Sequence, residues 1–408
     1  MTGMAADAPW LAIVGIGEDG VEGLSEAARA LVRGAELVVG GERHLALAAL
    51  LIRDEALAWP SPLNEAISQI LARRGRPTAV LASGDPFCFG VGVLLARYVP
   101  ETERLCLPAP SAFALACARL GWSTQETLQL SLCGRPLEPL APVLQPGRRL
   151  LVLSADETTP SALAAYLAGR GFGPSRLHVL EALGGPKERR RTVNAAAFDL
   201  ADIHPLNLVG VEVVAAPGAR VIPLASGLPD EAFEHDGQIT KREIRAVTLS
   251  ALAPCAGELL WDVGGGSGSI SIEWMLRHPD NRAVVLEPNP ERAARAARNA
   301  CQLGVPALRI LTACAPDGLA GLPAPDAVFL GGGASDPAVI ETAWTALRPG
   351  GRLVANAVTV ETEAALLQAR ARLGGSLTRL SVERLEPIGG MEGFHPARTV
   401  TQWVAVKP

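Results

Sequence analysis

The sequence lacks the features that mark membrane-spanning, fibrous and disordered proteins. No apolar run approaches the ~18 residues that a membrane helix needs, so we expect no membrane partner. The 42 glycines and 32 prolines follow no triplet period, which excludes a collagen-like chain. Because 49% of the residues are hydrophobic and only 19% are charged, the chain can build a packed core.

Positive charge is not in excess, and lysine is rare. The formal net charge is -5 and the pI is about 5.8. Proteins that follow a phosphate backbone are usually basic, so we expect no nucleic-acid partner. Of the 37 basic residues, only Lys187, Lys241 and Lys407 are lysines. Genome composition can explain this bias, but it leaves mostly planar guanidinium groups, which suit carboxylates.

Cysteine and histidine show no metal or disulfide pattern. The seven cysteines include no Cys-x-x-Cys pair, and most of them lie in apolar runs. We therefore predict free, buried thiols in a reducing cytoplasm. The six histidines have no ligand spacing, so we expect no structural metal.

The length of 408 residues predicts more than one domain, since single domains cluster near ~100–200 residues. Strand and helix patterns alternate in both halves, which predicts an α/β fold with parallel sheets. We predict a first domain over 1–225 with subdomains of about 1–108 and 109–225, an exposed linker over 226–237, and a second domain over 238–408. The second half ends in two consecutive strand-like runs, Leu377–Leu385 and Arg398–Val406, which predict an antiparallel hairpin closing a mostly parallel sheet.

The most specific local motif is a glycine loop in the second half. The run Glu258–Val263 predicts a strand, Gly264-Gly265-Gly266-Ser267-Gly268 follows it, and a helix pattern begins at Ser269. Glycines let the backbone approach a cofactor closely, and the helix start presents free N–H groups. Glu287 ends the next predicted strand, where an acid can accept hydrogen bonds from ribose hydroxyls.

Three interpretations of this loop are open from the residues alone. A dinucleotide site requires Gly-x-Gly-x-x-Gly, but Ser269 occupies the last required position. The observed Gly-x-Gly-x-Gly, preceded by Asp262, resembles the S-adenosylmethionine (SAM) loop of seven-stranded methyltransferases. A glycine turn without a ligand is the third interpretation.

The segment just before this strand carries two cations. Thr240 and Glu243 fit a capping box at a helix start. Lys241 and Arg245 are four residues apart and so share one helix face. A capped surface helix explains these features as well as a binding site does.

The first half carries a different loop. Gly15 and Gly17 lie in the last part of the first predicted strand, Leu11–Gly17, and Gly84-Asp85-Pro86 ends a later one. A Gly-Asp-Pro turn can place a carboxylate at the carboxyl edge of a sheet, where ligands usually bind, but it is also common turn chemistry.

Together these elements resemble two methyltransferase families. The first half resembles the tetrapyrrole methyltransferases, which bind SAM in a cleft between two α/β subdomains. The second half is similar to the seven-stranded methyltransferases of the cobalamin pathway. The matching segments are Leu11–Gly17, Val39–His44, Leu81–Gly90, Pro108–Ala114, Ser131–Pro136 and Glu181–Glu188 in the first half, and Gln238–Ala246, Trp261–Gly268, Glu287–Pro290, Ala315–Leu319 and Pro349–Val354 in the second.

The resemblance implies two SAM sites and two methyl transfers to one macrocycle. The first half would methylate carbon C5, and the second would methylate C15 and decarboxylate the ring C acetate. The substrate would be a polycarboxylate, which raises the expectation that Arg43, Lys241 and Arg245 bind it. Homo-oligomers, including tetramers through the second half, are also implied. The implied SAM-binding residues are Gly15, Gly17, Gly84, Asp85, Pro86 and Ser111, and then Thr240, Gly264, Gly265, Gly266, Ser267, Gly268, Glu287 and Ala315.

Two positions depart from the family patterns. Cys314 stands where an acid often precedes the alanine, and Cys133 stands where the first family often has histidine. No decarboxylation residue can be named, although His395 is a polar candidate near the last predicted strands. A single-site methyltransferase whose first half only binds substrate, and a tetrapyrrole carrier without activity, are the alternatives.

Overall fold

A computed structural model describes residues 9–60 and 64–408. The chain forms two compact units. The first contains the described residues up to Pro136 together with Gln145–Arg220, and the second contains Leu137–Leu144 together with Val221–Pro408. None of the helices formed by the described residues has the length and apolar character that crossing a membrane requires.

The first unit begins with a parallel five-stranded sheet in the order β3-β2-β4-β1-β5. Every residue of β1 is buried, as its uninterrupted apolar sequence predicts. Its elements are β1 Leu11–Ile16, α1 Glu26–Arg33, β2 Leu37–Gly40, α2 Glu42–Leu47, β3 Glu55–Ala58, α3 Asn64–Ala72, β4 Thr78–Ser83, α4 Gly92–Leu95 and β5 Arg104–Leu107. The apolar pattern of the sequence predicts the third of these helices over 63–74, and its first residue lies outside the described residues.

A second, mixed sheet completes this unit in the order β6-β7-β10-β8-β9. The last strand of this unit, β10, inserts antiparallel between β7 and β8. The elements are α5 Ala112–Leu120, β6 Thr127–Ser131, β7 Arg149–Leu153, α6 Thr159–Gly169, β8 Arg176–Glu181, β9 Arg189–Asn194 and β10 Asn207–Glu212.

The second unit is built on a seven-stranded sheet in the order β13-β12-β11-β14-β15-β19-β16. Only β19 runs against its neighbours, so the predicted mostly parallel sheet with an antiparallel ending is confirmed. Apolar cores cover both faces of the sheet. The elements are α7 Arg242–Leu252, β11 Leu259–Val263, α8 Ser269–Arg277, β12 Arg282–Leu286, α9 Pro290–Gln302, β13 Arg309–Leu311, β14 Ala327–Leu330, α10 Pro337–Ala346, β15 Arg352–Ala357, α11 Val360–Leu373, β16 Ser376–Leu380, β17 Glu383–Ile388, β18 Met391–Pro396 and β19 Val400–Val406.

The end of the chain differs from the predicted pair of strands. The run Leu377–Leu385 is not one strand, because β16 ends at Leu380 and β17 begins at Glu383. Strands β17 and β18 form a separate two-stranded ribbon before the chain returns as β19. The ribbon is largely exposed, so its sequence carries no apolar alternation that could have revealed it.

The segment over 226–237 is not the exposed stretch that the sequence predicted. Leu228 and Phe233 are buried in the core of the second unit, and the Glu273 carboxylate accepts hydrogen bonds from the N–H groups of Gly227 and Leu228 at 2.7 and 2.9 Å. The prediction of exposure is wrong. It rested on the glycine, proline and acidic residues of the segment and overlooked the two apolar side chains that are buried.

Candidate functional site

A cavity of about 800 Å3 lies at the carboxyl edge of the seven-stranded sheet. Most of the predicted cofactor residues of this unit line it, namely Thr240, Gly264, Gly265, Gly266, Glu287 and Ala315. Two do not: Ser267, within the same loop, is buried, and Gly268 is the N-cap residue of α8. Cys314 also lines the cavity, beside Ala315.

The loop requires glycine at Gly264. Its φ is +72°, and a Cβ atom added there would lie 2.8 Å from the Cα of Gly332. The loop after β11 and the loop after β14 therefore touch through their backbones. This close approach leaves backbone rather than side chains facing the cavity, which suits a nucleotide-like cofactor.

Glu287 is held at the end of β12 by backbone donors. Its carboxylate oxygens accept hydrogen bonds from the N–H groups of Gly266 at 2.8 Å and Asn289 at 2.9 Å. The side chain is almost fully buried and still lines the cavity. Because it joins the glycine loop to β12, a cofactor that binds Glu287 also contacts a preformed loop.

Asp262 lies behind the loop and is completely buried. One carboxylate oxygen accepts a hydrogen bond from the Ser271 hydroxyl at 2.7 Å, and the other, Oδ1, has no partner. Burial raises the pKa of Asp262 to about 6, and the negative charge of Glu287 acts in the same direction.

The start of α7 differs from the predicted capping box. Lys241, not Thr240, is the N-cap residue, and its side chain forms no cap hydrogen bond. The Lys241 ammonium lies 3.6 Å from the Asp230 carboxylate, and the side chain remains 44% exposed at the cavity wall. Lys241 is therefore available to a ligand, and its role in substrate binding stays a prediction.

Arg245 does not reach the cavity, and the prediction that it binds substrate is wrong. Its side chain is completely buried, with Nε 2.6 Å from a Glu273 oxygen and Nη1 3.1 Å from Asp230. The guanidinium also lies over the Phe233 ring, 4.8 Å from its centroid. Arg245 thus fixes α7 to α8 and to the segment that precedes α7. Sequence spacing placed Lys241 and Arg245 on one face but could not reveal a buried acid on another helix.

The structure adds polar residues to the cavity that the motifs did not indicate. Asn356, Arg384 and Arg398 line it, and they come from the end of β15, from β17 and from the connection between β18 and β19. Only the order of the last strands could have pointed to them. His395 lies exposed on β18 and is not among the residues that line the cavity.

The first unit has its own cavity, of about 360 Å3, between its two sheets. The predicted residues Gly17, Arg43, Gly84 and Ser111 line it, and so does Cys133. Ser111 also caps α5, because its hydroxyl accepts a hydrogen bond from Ala114 N–H at 3.1 Å. The Cys133 thiol donates to the Ser154 carbonyl at 3.3 Å.

Three predicted residues of this unit do not line that cavity. A Cβ atom on Gly15 would lie 1.9 Å from the carbonyl oxygen of Gly84, so Gly15 serves the packing of strand against loop. Asp85 closes its own turn by accepting a hydrogen bond from Phe87 N–H at 2.8 Å. Pro86 is buried. Their expected contact with a cofactor stays a prediction without support from the cavity wall.

Arg43 belongs to a polar cluster that sequence analysis did not find. It forms an ion pair with Glu18, and its Nη2 donates to the Ser83 hydroxyl at 2.9 Å. His44 Nε2 lies 2.8 Å from the same hydroxyl. Burial, together with the charge of Arg43, lowers the pKa of His44 to about 4. Near neutral pH, Arg43 is thus the cation of this cluster and His44 is neutral.

Two α/β units, each with a cavity at the ends of its strands and one with a glycine loop joined to an acid, define a cofactor-binding α/β protein. The family model described as tetrapyrrole (corrin/porphyrin) methylases matches residues 11–199, and that of the precorrin methyltransferase domain matches 231–407. The chain belongs to the family of precorrin-6Y C5,15-methyltransferases (decarboxylating), as its curated relatives establish.

The relatives match along almost the whole chain. The protein of that name from Sinorhizobium sp is 58% identical over 395 residues, which cover 97% of this chain and 96% of the relative. Its counterpart from Mycobacterium tuberculosis (strain CDC 1551 / Oshkosh) is 43% identical and covers 97% and 99%. The crystal structure of the C-terminal domain of precorrin-6Y C5,15-methyltransferase from Rhodobacter capsulatus is 46% identical, covers 46% of this chain and 100% of that domain, and has a TM-score of 0.44.

Proposed function

We propose that this chain methylates precorrin-6Y at C5 in its first unit and at C15 in its second, and removes the ring C acetate carboxyl as carbon dioxide, giving precorrin-8X. Membership of the decarboxylating methyltransferase family supports the overall reaction. The observation that carries the two-site form of this proposal is that each unit has a cavity of its own.

Each cavity has residues suited to hold SAM, the methyl donor of these methyltransferases. When bound, SAM supplies a methyl group on a positively charged sulfur. In the second unit, Gly264, Gly266 and Glu287 would hold the cofactor beside apolar walls formed by Ile270 and Phe329. In the first unit, Gly17, Gly84 and Ser111 would do so.

The residues of the chain act on the substrate by orienting it and by excluding water. A reduced tetrapyrrole carbon is electron-rich, so holding it in line with the methyl group is the main requirement. Arg43 in the first cavity and Lys241 in the second offer cations to carboxylate arms of the substrate. Neutral His44 adds no second charge beside Arg43.

Mass spectrometry of the product tests this proposal. The full chain with SAM and precorrin-6Y should yield a macrocycle with two added methyl groups and without one carbon dioxide. Glu287→Ala should strongly reduce the C15 methylation and the carbon dioxide loss but keep the C5 methyl group. Arg43→Gln should impair the C5 transfer. Arg379→Gln, which alters an exposed arginine paired with Glu363, serves as the control.

Other results identify the alternatives. A product with one methyl group, together with one SAM bound per chain in calorimetry, would favour the single-site methyltransferase. An unchanged macrocycle mass with bound tetrapyrrole would indicate a carrier.

We also propose a homo-oligomer through the second unit, tetrameric in its full form. The β17–β18 ribbon exposes large apolar side chains that a monomer would leave in water, namely Leu385, Ile388, Met391 and Phe394. Light scattering of Phe394→Glu against the unmodified chain tests this. A smaller assembly is expected for the variant, and equal masses would contradict it.

A cytoplasmic location belongs to the same proposal. All seven cysteines are free thiols, which is the usual state in a reducing compartment. The prediction that these thiols are buried is wrong, because only Cys117 is buried and four of the seven are exposed.

A further inference from the structure

The cavity of the second unit is rich in cations. Those that line it are Lys241, Arg292, Arg384 and Arg398. Three of them have an acidic partner: Lys241 pairs with Asp230, Arg292 with Asp236, and Arg384 with Glu243. Within residues 9–60 and 64–408, Arg398 forms no ion pair and no side-chain hydrogen bond. Its guanidinium donors are therefore uncommitted.

The backbone on both sides of Arg398 is fixed. Ala397 N–H donates to the Val382 carbonyl at 2.8 Å, and the hydroxyls of Thr399 and Ser381 lie 3.3 Å apart. Immediately afterwards the chain enters β19, whose first residue, Val400, is buried. Arg398 is thus an exposed side chain on an anchored segment, which reduces the entropy lost when it binds a ligand.

The wall around Arg398 is apolar. Val358, Val382, Ala397 and Val400 line this part of the cavity. A flat, largely apolar ligand with a negatively charged arm would match such a wall together with one free cation.

Asn356 adds a fixed amide to the same cavity. Its Nδ2 donates to the Thr248 hydroxyl at 3.0 Å, and its Oδ1 accepts from Gln402 Nε2 at 3.0 Å. Thr248 and Gln402 are both buried, so they hold the Asn356 amide in one orientation. One N–H group of that amide remains available to a ligand.

We infer that Arg398 binds a carboxylate arm of the tetrapyrrole during the reaction of the second unit, with Arg384, which pairs with Glu243, as a further cation of the same cavity. This inference rests on the proposed function and names the substrate subsite within it. An arginine fork holds a carboxylate with two parallel hydrogen bonds, and a free guanidinium breaks no existing ion pair in doing so. Arg398 thereby takes the role that the family resemblance implied for Arg245.

Steady-state kinetics of Arg398→Gln tests the inference, with Arg379→Gln as the matched control. Arg379 lies on β16, is exposed, pairs with Glu363 and does not line the cavity. For Arg398→Gln we expect the KM for precorrin-6Y in C15 methylation to rise roughly tenfold or more, since a charged hydrogen-bonded pair is lost. SAM affinity and C5 methylation should match those of the control. The KM should also depend less on salt than in the unmodified chain. Arg398→Lys, which keeps the charge but not the fork, should fall between the two.

Binding of uroporphyrin, a stable porphyrin polycarboxylate, separates this inference from the proposed function. Fluorescence titrations compare Arg398→Gln with Arg379→Gln, so any site in the first unit contributes equally to both. If uroporphyrin binds more weakly to Arg398→Gln than to Arg379→Gln, the result supports the subsite. If the unmodified chain fails to methylate precorrin-6Y, that failure counts against the proposed function only. Equal affinities and equal KM values for the two variants would overturn the inference.

Discussion

At the scale of single residues, two buried carboxylates lie at the glycine loop of the second unit. Asp262 belongs to the strand that precedes the loop and Glu287 accepts a hydrogen bond from Gly266 within it, but the hydrogen bonding of the two carboxylates differs. Both oxygens of Glu287 accept backbone hydrogen bonds, whereas Asp262 leaves Oδ1 without a partner. The two residues therefore lead to different predictions, one on stability and one on affinity.

Asp262→Asn should change how stability depends on pH. The pKa of Asp262 is about 6 in the folded chain and about 3.9 in an unfolded one. Between these values the folded state binds more protons, so this residue's contribution to stability is lost as the pH rises from about 4 to 6. The variant should lack that loss, which is up to about 3 kcal/mol. Urea unfolding of both proteins at pH 4 and pH 7 measures it.

The comparison between the two proteins carries this prediction, because His44 titrates in the same pH range with the opposite sign. Its lowered pKa makes stability fall as the pH drops from about 6.5 to 4. That term is common to both proteins and cancels in their difference. Parallel stability curves would show that Asp262 does not titrate in this range.

Glu287→Ala should weaken SAM binding by about 1.5–3 kcal/mol, because a charged acceptor for the cofactor is lost and the Gly266 N–H loses its partner. Titration calorimetry measures the affinity. Glu291→Ala is a suitable control, since Glu291 is exposed at the start of α9 and does not line the cavity. Unchanged affinity in Glu287→Ala would remove this residue from the site.

At the scale of secondary structure, a buried charge pair joins two adjacent helices of the second unit. Arg245 on α7 and Glu273 on α8 are both completely inaccessible. Glu273 also receives the Gly227 and Leu228 N–H groups, so the pair fixes the segment before α7 as well. Removing one partner leaves the other as an uncompensated buried charge.

Arg245→Met should therefore destabilise the chain by about 3–5 kcal/mol, whereas Lys241→Met should change stability by less than about 1 kcal/mol. Denaturant unfolding distinguishes them. Combining Arg245→Met with Glu273→Gln should recover part of the loss, since the uncompensated charge is gone and the amide oxygen can still accept one of the two backbone hydrogen bonds. If Arg245→Met raised the substrate KM without loss of stability, the original assignment to substrate binding would return.

Sequence patterns predicted those elements whose apolar residues are continuous or periodic. Strands β1 and β11 are fully buried and were expected close to their observed bounds. Strand β9, by contrast, has the sequence Arg-Arg-Arg-Thr-Val-Asn and alternates only between exposed and partly exposed positions, so no burial signal marks it. The glycines and Glu287 could be found because backbone geometry imposes their spacing. Asn356 and Arg398 could not, since their place depends on β19 returning antiparallel beside β15.

At the scale of the whole molecule, the number of SAM sites is the quantity that the fold makes testable. Two separate cavities lead us to expect two molecules of SAM per chain in calorimetry. In Glu287→Ala one of the two should weaken while the other keeps its affinity, because the altered residue belongs to one unit. A single class of sites that weakens uniformly would contradict independent sites.

The short segment Leu137–Leu144 has a consequence for any division of this chain into separate polypeptides. It packs with the second unit, where Ala141 is buried and Gly304 is too close to Pro142 to accept a side chain. A fragment that starts at Val221 lacks this segment and exposes the apolar surface it covers. Adding a synthetic peptide of residues 137–144 should raise the melting temperature of that fragment, whereas a scrambled peptide should not. A gene split at the predicted linker would therefore place residues 137–144 on the first polypeptide. The second polypeptide would then have to bind that segment from its partner to complete its own core.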